Sequence, residues 1–195
     1  MMLLEGTMAH FELQPSEGDL QNLAEKFWRD AGEKWQKAEE AAFEAGKAIR
    51  NGNFSLNNLK AILKWKSPRS VHHLDGNSPD QINVALKKAA SPDISTKDAM
   101  EALMMLRGVA VPVASAILTT IFPDRYTVID FRALEALGHP LISVEFYEEY
   151  LAFCKKLADR GIVKAQDGLP APTALRALDR ALWQWSKDGF ENPVE

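Results

Sequence analysis

Cysteine is nearly absent from this sequence, since Cys154 is the only one in 195 residues. One cysteine cannot close an intrachain disulfide, and it cannot supply the four thiolates of a zinc ribbon or of an iron–sulfur cluster. The adjacent histidines His72 and His73 lack the spacing of a zinc site. We therefore expect no metal, no iron–sulfur cluster and no other cofactor.

Long apolar segments are lacking as well. The longest uncharged apolar run, Val109 to Phe122, is interrupted by Pro112 and is shorter than the roughly 20 apolar residues that a membrane helix needs. The first ten residues have no basic segment of the kind that begins a secretory signal. The sequence predicts a cytoplasmic protein with no membrane span.

Positive charge is in slight deficit, because 23 Lys and Arg stand against 27 Asp and Glu, a net charge of −4. Such a molecule is not broadly attracted to phosphate, so a polyanion must bind at a local patch. Two windows, Phe54–Leu74 and Leu103–Pro123, contain no acidic residue and are predicted to form that patch. Their candidate cations for contact with a polyanion are Lys64, Lys66, Arg69 and Arg107.

The alternation of apolar and polar residues that is typical of strands is also missing, whereas helical spacing and capping residues recur. The sequence predicts one all-α domain over 1–195, with about eight to ten helices and an N-terminal tail over 1–15. A tight helical hairpin is predicted over 106–113, because Gly108 permits a positive φ and Pro112 suits the first turn of a helix. The predicted helices include 33–50, 113–122, 131–137, 144–159 and 172–187, with Ser16, Ser55, Ser78 and Ser95 at the starts of others.

The hairpin is the segment that carries chemistry. A glycine turn that leads into a helix leaves backbone N–H groups unpaired and points the positive end of the helix dipole outward, which suits a phosphate. After that helix an apolar connector, Tyr126–Ile129, leads to Asp130, which lies 22 positions beyond Gly108 and is placed to cap a further helix. The predicted hairpin contacts to a DNA backbone are Arg107, Gly108, Val109, Ala110, Val111 and Val113.

The segments LRGVAVPVASAIL and YTVIDFR resemble the helix-hairpin-helix DNA glycosylase superfamily, which includes endonuclease III and the adenine-mismatch glycosylases. The resemblance covers roughly a sixth of the chain and consists of the hairpin glycine, the apolar helix, the connector and an aspartate at the matching interval. It implies a glycosylase-like helical bundle, DNA as the partner, and Asp130 as the catalytic carboxylate. The expected product is an abasic site, and a monomer is expected.

Two departures from the family pattern matter. Ala110 replaces the second hairpin glycine, so a positive φ there would be strained. Pro112 occupies the position of the lysine that forms a Schiff base in bifunctional members, and the four cysteines of the cluster-bearing members are absent. The resemblance therefore implies a monofunctional, cluster-free enzyme without lyase activity.

A glycosylase must bind a base that has left the stack, which calls for aromatic surfaces in a pocket. Trp65, Tyr126 and Phe131 are the predicted pocket residues. An ionised Asp130 at a helix N-terminus would stabilise the positive charge that develops on the sugar. Arg132 would orient Asp130 or contact a phosphate. The residues do not choose among damaged, mismatched and hypermodified bases, the last including those of modified phage DNA.

Other interpretations of the same residues stay open at this point. Asp130 also fits a simple helix cap, Gly108 an ordinary turn between helices, and Trp65 a core residue. Trp183 and Trp185 on the last helix are interpreted as packing residues, Cys154 as an inert core thiol, and the run from Lys64 to Arg69 also fits a solvated face. A non-catalytic hairpin module for DNA or protein is the main alternative, and an unrelated helical scaffold is a third. An enzyme needs Asp130 in a cleft, which a binding module does not.

Overall fold

The computed structural model of the protein describes residues 10–139 and 143–191. Within these ranges it is helical and contains no strand, which confirms the predicted all-α bundle of about eight to ten helices. Two 3₁₀ helices, Glu17–Asp19 and Pro68–Gly76, accompany the α-helices. The α-helices of the described chain are α1 (Leu20–Asp30), α2 (Glu33–Arg50), α3 (Leu56–Lys66), α4 (Pro79–Ala89), α5 (Thr96–Met104), α6 (Val111–Ile121), α7 (Phe131–Glu135), α8 (Val144–Asp159) and α9 (Ala174–Glu191).

Serine side chains begin three of these helices as predicted. The Oγ atoms of Ser55, Ser78 and Ser95 each accept a hydrogen bond from the backbone N–H three residues later, at 3.3, 3.2 and 3.0 Å. At Ser78 the Gln81 side chain completes a capping box by accepting from the Ser78 N–H at 2.7 Å. Each such cap stabilises its helix by about 1 kcal/mol. Ser16 makes no side-chain cap, so α1 begins only at Leu20, after a 3₁₀ turn.

The predicted helix boundaries are correct to within a few residues at most positions. The helices predicted at 33–50 and 144–159 match α2 and α8, whereas 113–122 and 172–187 correspond to 111–121 and 174–191. The helix predicted over 131–137 is shorter than expected and ends at Glu135, ahead of Gly138 with its φ of +65°. The predicted stop at Pro140 lies outside the described residues. The 3₁₀ segment Pro68–Gly76 was not predicted, because propensity does not separate such turns from a loop.

The core is built around α6, in which every residue but Pro112 is buried. Helix α2 crosses α6 closely at Gly46, where a Cβ atom would overlap the backbone carbonyl of Thr120. A glycine at this crossing therefore lets the two backbones meet, and buried residues from α1 to α9 join in one hydrophobic cluster.

The described part of the predicted tail, residues 10–15, lies against the end of α7. The backbone N–H groups of Glu12 and Gln14 donate to the carbonyls of Leu137 and Ala136 at 3.0 and 2.9 Å. This pairing fixes the chain that precedes α1. Among the described residues, no helix has the length and apolar character needed to cross a membrane.

Candidate active site

The predicted hairpin is present and needs glycine for two reasons. Gly108 has a φ of +90°, a conformation that other residues rarely adopt. A Cβ atom there would also come within 3.0 Å of the Ser70 carbonyl oxygen and of the His73 side chain, which belong to the 3₁₀ helix. Asn77 directly follows this 3₁₀ helix, and its side chain accepts from the Arg107 N–H at 2.8 Å and donates to the Arg107 carbonyl at 3.1 Å. The unpredicted 3₁₀ helix is therefore the support of the hairpin.

The hairpin presents free backbone donors at the start of α6. No described residue accepts a hydrogen bond from the N–H groups of Gly108, Ala110 or Val111. Together with the N-terminal end of the α6 dipole, these donors favour an anion. Ala110 has φ −100° and ψ 176°, which is ordinary extended backbone. The strain expected from an alanine at this position is therefore absent.

The connector between α6 and Asp130 is held on its α6 side by Ser115. This buried hydroxyl accepts from the Ile129 N–H at 3.1 Å and donates to the Pro112 carbonyl at 2.9 Å. The residue before Asp130 is thus tied to the first turn of the hairpin helix, which sets the distance between the hairpin and the carboxylate.

Two buried tyrosines of α8 hold the connector from its other side. The Tyr147 hydroxyl donates to the carbonyl of Thr127 at 2.8 Å, and the Tyr150 hydroxyl donates to that of Val128 at 2.7 Å. These bonds satisfy carbonyls that the extended connector cannot pair within a helix. Asp130 therefore follows a segment that is fixed by both neighbouring helices.

The Asp130 carboxylate makes two interactions. Its Oδ1 accepts a hydrogen bond from the Ala133 N–H at 3.0 Å and so caps α7. Its Oδ2 accepts a hydrogen bond from the Lys66 Nζ at 2.5 Å. The residue is 8% exposed. Burial alone would raise the pKa of Asp130, but the charge and hydrogen bond of Lys66, with the Ala133 N–H, lower that pKa below its ordinary value. Asp130 is therefore ionised at neutral pH.

An open groove runs along the hairpin beside Asp130, with a volume of about 770 Å³. We call it the hairpin groove. One side is the hairpin and the first turn of α6, and the other side is the segment that follows α3 together with the start of α7. Its lining residues are Lys66, Ser67, Arg69, Ser70, Gly108, Val109, Ala110, Pro112, Val113, Asp130, Phe131, Arg132 and Trp183.

A smaller and more enclosed space of about 160 Å³ shares lining residues with the groove. We call it the aromatic cavity, because four aromatic side chains line it. Lys66, Asp130 and Trp183 line both spaces and so form the junction between them. The remaining lining residues of the aromatic cavity are Phe27, Trp35, Trp65, Val128, Arg176, Asp179 and Arg180.

The polar wall of the aromatic cavity is a buried ion cluster that joins α2 to α9. Oε1 of Glu39 accepts from Arg176 Nε and Nη2 at 3.0 and 2.9 Å and from Arg180 Nη2 at 2.7 Å. Arg176 also donates to Asp179, and its guanidinium lies 5.2 Å from the centre of the Trp65 ring. Burial raises the pKa of Asp179 to about 6, while Arg176 opposes that shift and Asp130 adds to it.

The structure brings most of the predicted site residues together. Trp65, Lys66 and Asp130 line the aromatic cavity, and Trp65 is only 7% exposed, so it is a core residue and a cavity wall at once. Arg69, Phe131 and Arg132 line the groove with the predicted hairpin residues Gly108, Val109, Ala110 and Val113.

Other predicted site residues lie elsewhere. Tyr126 is 1% exposed in the core and lines neither space, so its position does not support a pocket role. Phe131 is 62% exposed and lines the groove rather than the aromatic cavity. Lys64 and Arg107 are exposed but do not line the groove, and Val111 is buried in the core.

Sequence reasoning missed the contribution of α9 to the site. Arg176, Asp179, Arg180 and Trp183 follow the spacing i, i+3, i+4 and i+7, which places them on one helix face. Three of the four are charged and nearly fully buried. The sequence feature that could have indicated this is the placement of charged residues on the helix face whose spacing is typical of core residues. Trp183, interpreted from the sequence as a packing residue, lies at the junction of the groove and the aromatic cavity.

Comparisons of the chain with protein-family models, with curated proteins and with solved structures gave no match. The resemblance to helix-hairpin-helix glycosylases therefore depends on the residues quoted above and on the site that they build.

Proposed function

We propose that the protein is a monofunctional DNA glycosylase that hydrolyses the N-glycosidic bond of a flipped base and leaves an abasic site. The observation that carries the proposal is the position of Asp130. Its buried, ionised carboxylate lies where a groove with free backbone donors meets a cavity lined by aromatic rings. A flipped nucleotide needs these three features at one place.

The groove suits the DNA backbone. The N–H groups of the hairpin and the Arg69 side chain, which is exposed, supply donors and positive charge for phosphates. Phe131 presents a large apolar surface at the rim, where such a side chain can enter the gap that a flipped base leaves. These contacts would hold the duplex without reading its sequence.

Asp130 would act on the sugar. Cleavage of the glycosidic bond develops positive charge on the sugar ring, and an ionised carboxylate beside C1′ stabilises that charge and activates water. Lys66 keeps Asp130 ionised although it is buried. Pro112 stands in the groove where bifunctional family members have their lysine, and it supplies no amine.

The alternative is a hairpin module that binds DNA or a protein without catalysis. It is favoured by one observation, since the cap of α7 and the ion pair with Lys66 also give Asp130 a purely structural role. A module of this kind has no need for the aromatic cavity next to Asp130, which is why we prefer the enzyme.

The two functions differ in whether a base is released. A panel of duplexes with damaged, mismatched and hypermodified bases, including modified phage DNA, should yield abasic sites that alkali converts into strand breaks. Asp130→Asn should slow base release by at least about a thousandfold, some 4 kcal/mol at 1.36 kcal/mol per tenfold, while DNA binding stays nearly unchanged. The variant should remain folded with a lower unfolding temperature, because it loses the ion pair with Lys66.

Asp124→Asn is the matched control, because Asp124 is exposed and lines neither space. It should keep the full rate. Base release by Asp130→Asn within tenfold of wild type would remove Asp130 from the chemistry. DNA binding without release of any base in the panel would favour the binding module.

A further inference from the structure

A second carboxyl group lines the aromatic cavity together with Asp130. Asp179 is 4% exposed and comes from α9, whereas Asp130 precedes α7. Arg176 donates to Oδ2 of Asp179, and among the described residues none donates to Oδ1. One oxygen of this cavity-lining carboxyl group is thus left for another partner.

The two carboxyl groups differ in their protonation. Lys66 and the Ala133 N–H lower the pKa of Asp130, whereas burial raises the pKa of Asp179 to about 6. Two carboxyl groups whose environments separate their pKa values are the usual arrangement for one acid and one ionised carboxylate in glycoside cleavage.

Charged and titratable groups surround Asp179 from several elements. The buried tyrosines and the thiol of α8 stay neutral because burial raises the pKa of each. The groups near Asp179 are Arg176 and Arg180 on α9, Glu39 on α2, Lys66 on α3, Asp130 before α7, and Tyr147, Tyr150 and Cys154 on α8.

The charge of the cavity wall bears on the class of base. Three cations line it, Lys66, Arg176 and Arg180, and they face the carboxyl groups of Asp130, Asp179 and, behind the arginines, Glu39. When Asp179 is protonated, three cations face two carboxylates, and this positive excess disfavours a base that is itself cationic, as an N7-alkylated purine is. Protonation of a ring nitrogen makes a neutral base a better leaving group, and this requires a proton donor in the cavity.

We propose that the aromatic cavity takes an uncharged base and that Asp179 is its proton donor. This inference rests on the proposed glycosylase function. The bond between C1′ and the base nitrogen breaks, its electron pair goes to the base, and a ring nitrogen takes the proton of Asp179. Arg176 stabilises the carboxylate that forms. Water bonds to C1′ and loses a proton to Asp130, and exchange with solvent restores both carboxyl groups.

The test is the pH dependence of single-turnover base release from the uncharged substrate that the duplex panel identifies. Wild-type activity should fall as pH rises through about 6, close to tenfold between pH 7 and 8, because the acid form of Asp179 is depleted. Asp179→Asn should be slower by a hundredfold or more at pH 6 and should lack this dependence. Asp188→Asn is the control, because Asp188 lies on the same helix but pairs with Lys26 outside the cavity.

The outcomes separate the two proposals. A wild-type rate that stays constant between pH 5.5 and 8 would overturn the role of Asp179, and this holds even if the Asp179→Asn variant fails to fold. A folded Asp179→Asn variant with the rate and pH dependence of wild type would do the same. Faster release of N7-methylguanine than of any uncharged base would overturn the substrate class. If wild type releases no base at all, the glycosylase function itself fails, and the role of Asp179 fails with it.

Discussion

The Lys66 amine lies 2.5 Å from Oδ2 of Asp130, although 64 residues separate the two in the sequence. The side chains are 16% and 12% exposed, so water screens the pair only weakly. A buried carboxylate without such a partner would tend to take up a proton. This ion pair therefore keeps Asp130 ionised, which the catalytic role that we propose for it requires.

Lys66→Met removes the charge and keeps most of the side-chain length. The pKa of Asp130 should rise, because burial is then no longer opposed by the Lys66 ammonium. As pH is lowered, base release by the variant should therefore be lost at a higher pH than base release by wild type. Lys64→Met, exposed on the same helix, should leave this acid limb in place. An unchanged acid limb in Lys66→Met would show that the pair does not control Asp130.

The same ion pair should stabilise the folded protein at neutral pH and lose this effect in acid. Because the pKa of Asp130 is lowered in the folded protein, its contribution is present above the unfolded value of about 3.9 and is lost as pH falls toward the folded pKa. Urea unfolding of wild type and Lys66→Met should therefore differ more at pH 7 than at pH 3. An equal difference at both pH values would contradict this assignment.

If the proposed function holds, borohydride should fail to trap a covalent complex between the protein and a substrate duplex, because Pro112 stands where the bifunctional glycosylases that the chain resembles have a lysine. Of the lysines in the described part of the chain, Lys66 alone lines the groove or the aromatic cavity, and its Nζ binds Asp130. Gel mobility after reduction checks the prediction. Trapping that disappears in Lys66→Met would replace the monofunctional interpretation with a lyase that uses Lys66.

Binding to duplex DNA should weaken steeply with salt, with a log–log slope of about −0.9 for each phosphate neutralised. Arg69→Ala should flatten that slope by about one unit on every sequence, because Arg69 is exposed and lines the groove. Fluorescence anisotropy at several salt concentrations gives the slope. Lys87→Ala, exposed on α4 and outside the groove, is the control.

The comparison with Arg107→Ala locates the edge of the DNA footprint. Arg107 is exposed but does not line the groove, so its loss should change the slope less than the loss of Arg69. The opposite order would place the DNA on the outer side of the hairpin.

Trp183→Ala should reduce base release by about tenfold to a hundredfold while nonspecific DNA binding stays close to wild type, because stacking on a base contributes about 1–3 kcal/mol. Trp183 is only partly buried, so the protein should remain folded. Trp185→Ala on the same helix is the control, since Trp185 lines neither space. Equal losses of binding and of base release in Trp183→Ala would exclude a stacking role.

Trp65 needs a gentler change, because removing an almost fully buried tryptophan costs about 3–5 kcal/mol of folding free energy. Trp65→Phe keeps an aromatic face. Trp65→Phe should retain more base release than Trp65→Ala. Thermal unfolding of both variants shows how much of each loss comes from destabilisation of the fold.

Local sequence determined the parts of this protein that depend on neighbouring residues. The serine caps, the positive φ at Gly108 and the cap of α7 by Asp130 were all predictable, because each is a contact within a few residues. The arrangement of one helix and one extended connector between Gly108 and Asp130 was predictable too, because both depend on residues that are close in the sequence. The expectation of backbone strain at Ala110 was wrong, because this residue has an ordinary extended conformation in the hairpin.

Only the tertiary structure decided which distant side chains share the site. The packing of α9 against α1, α7 and α8, with the ion pairs that join it to Glu39 of α2, brings Arg176, Asp179 and Trp183 to the aromatic cavity. The position of α3 brings Lys66 to Asp130. Helical periodicity identifies a buried face, but it does not say which helix that face meets. Tyr126 and Phe131 both lie within a few residues of Asp130, but Tyr126 is a core residue and Phe131 is exposed at the rim of the groove. The direction of the backbone and the packing of the helices set this difference.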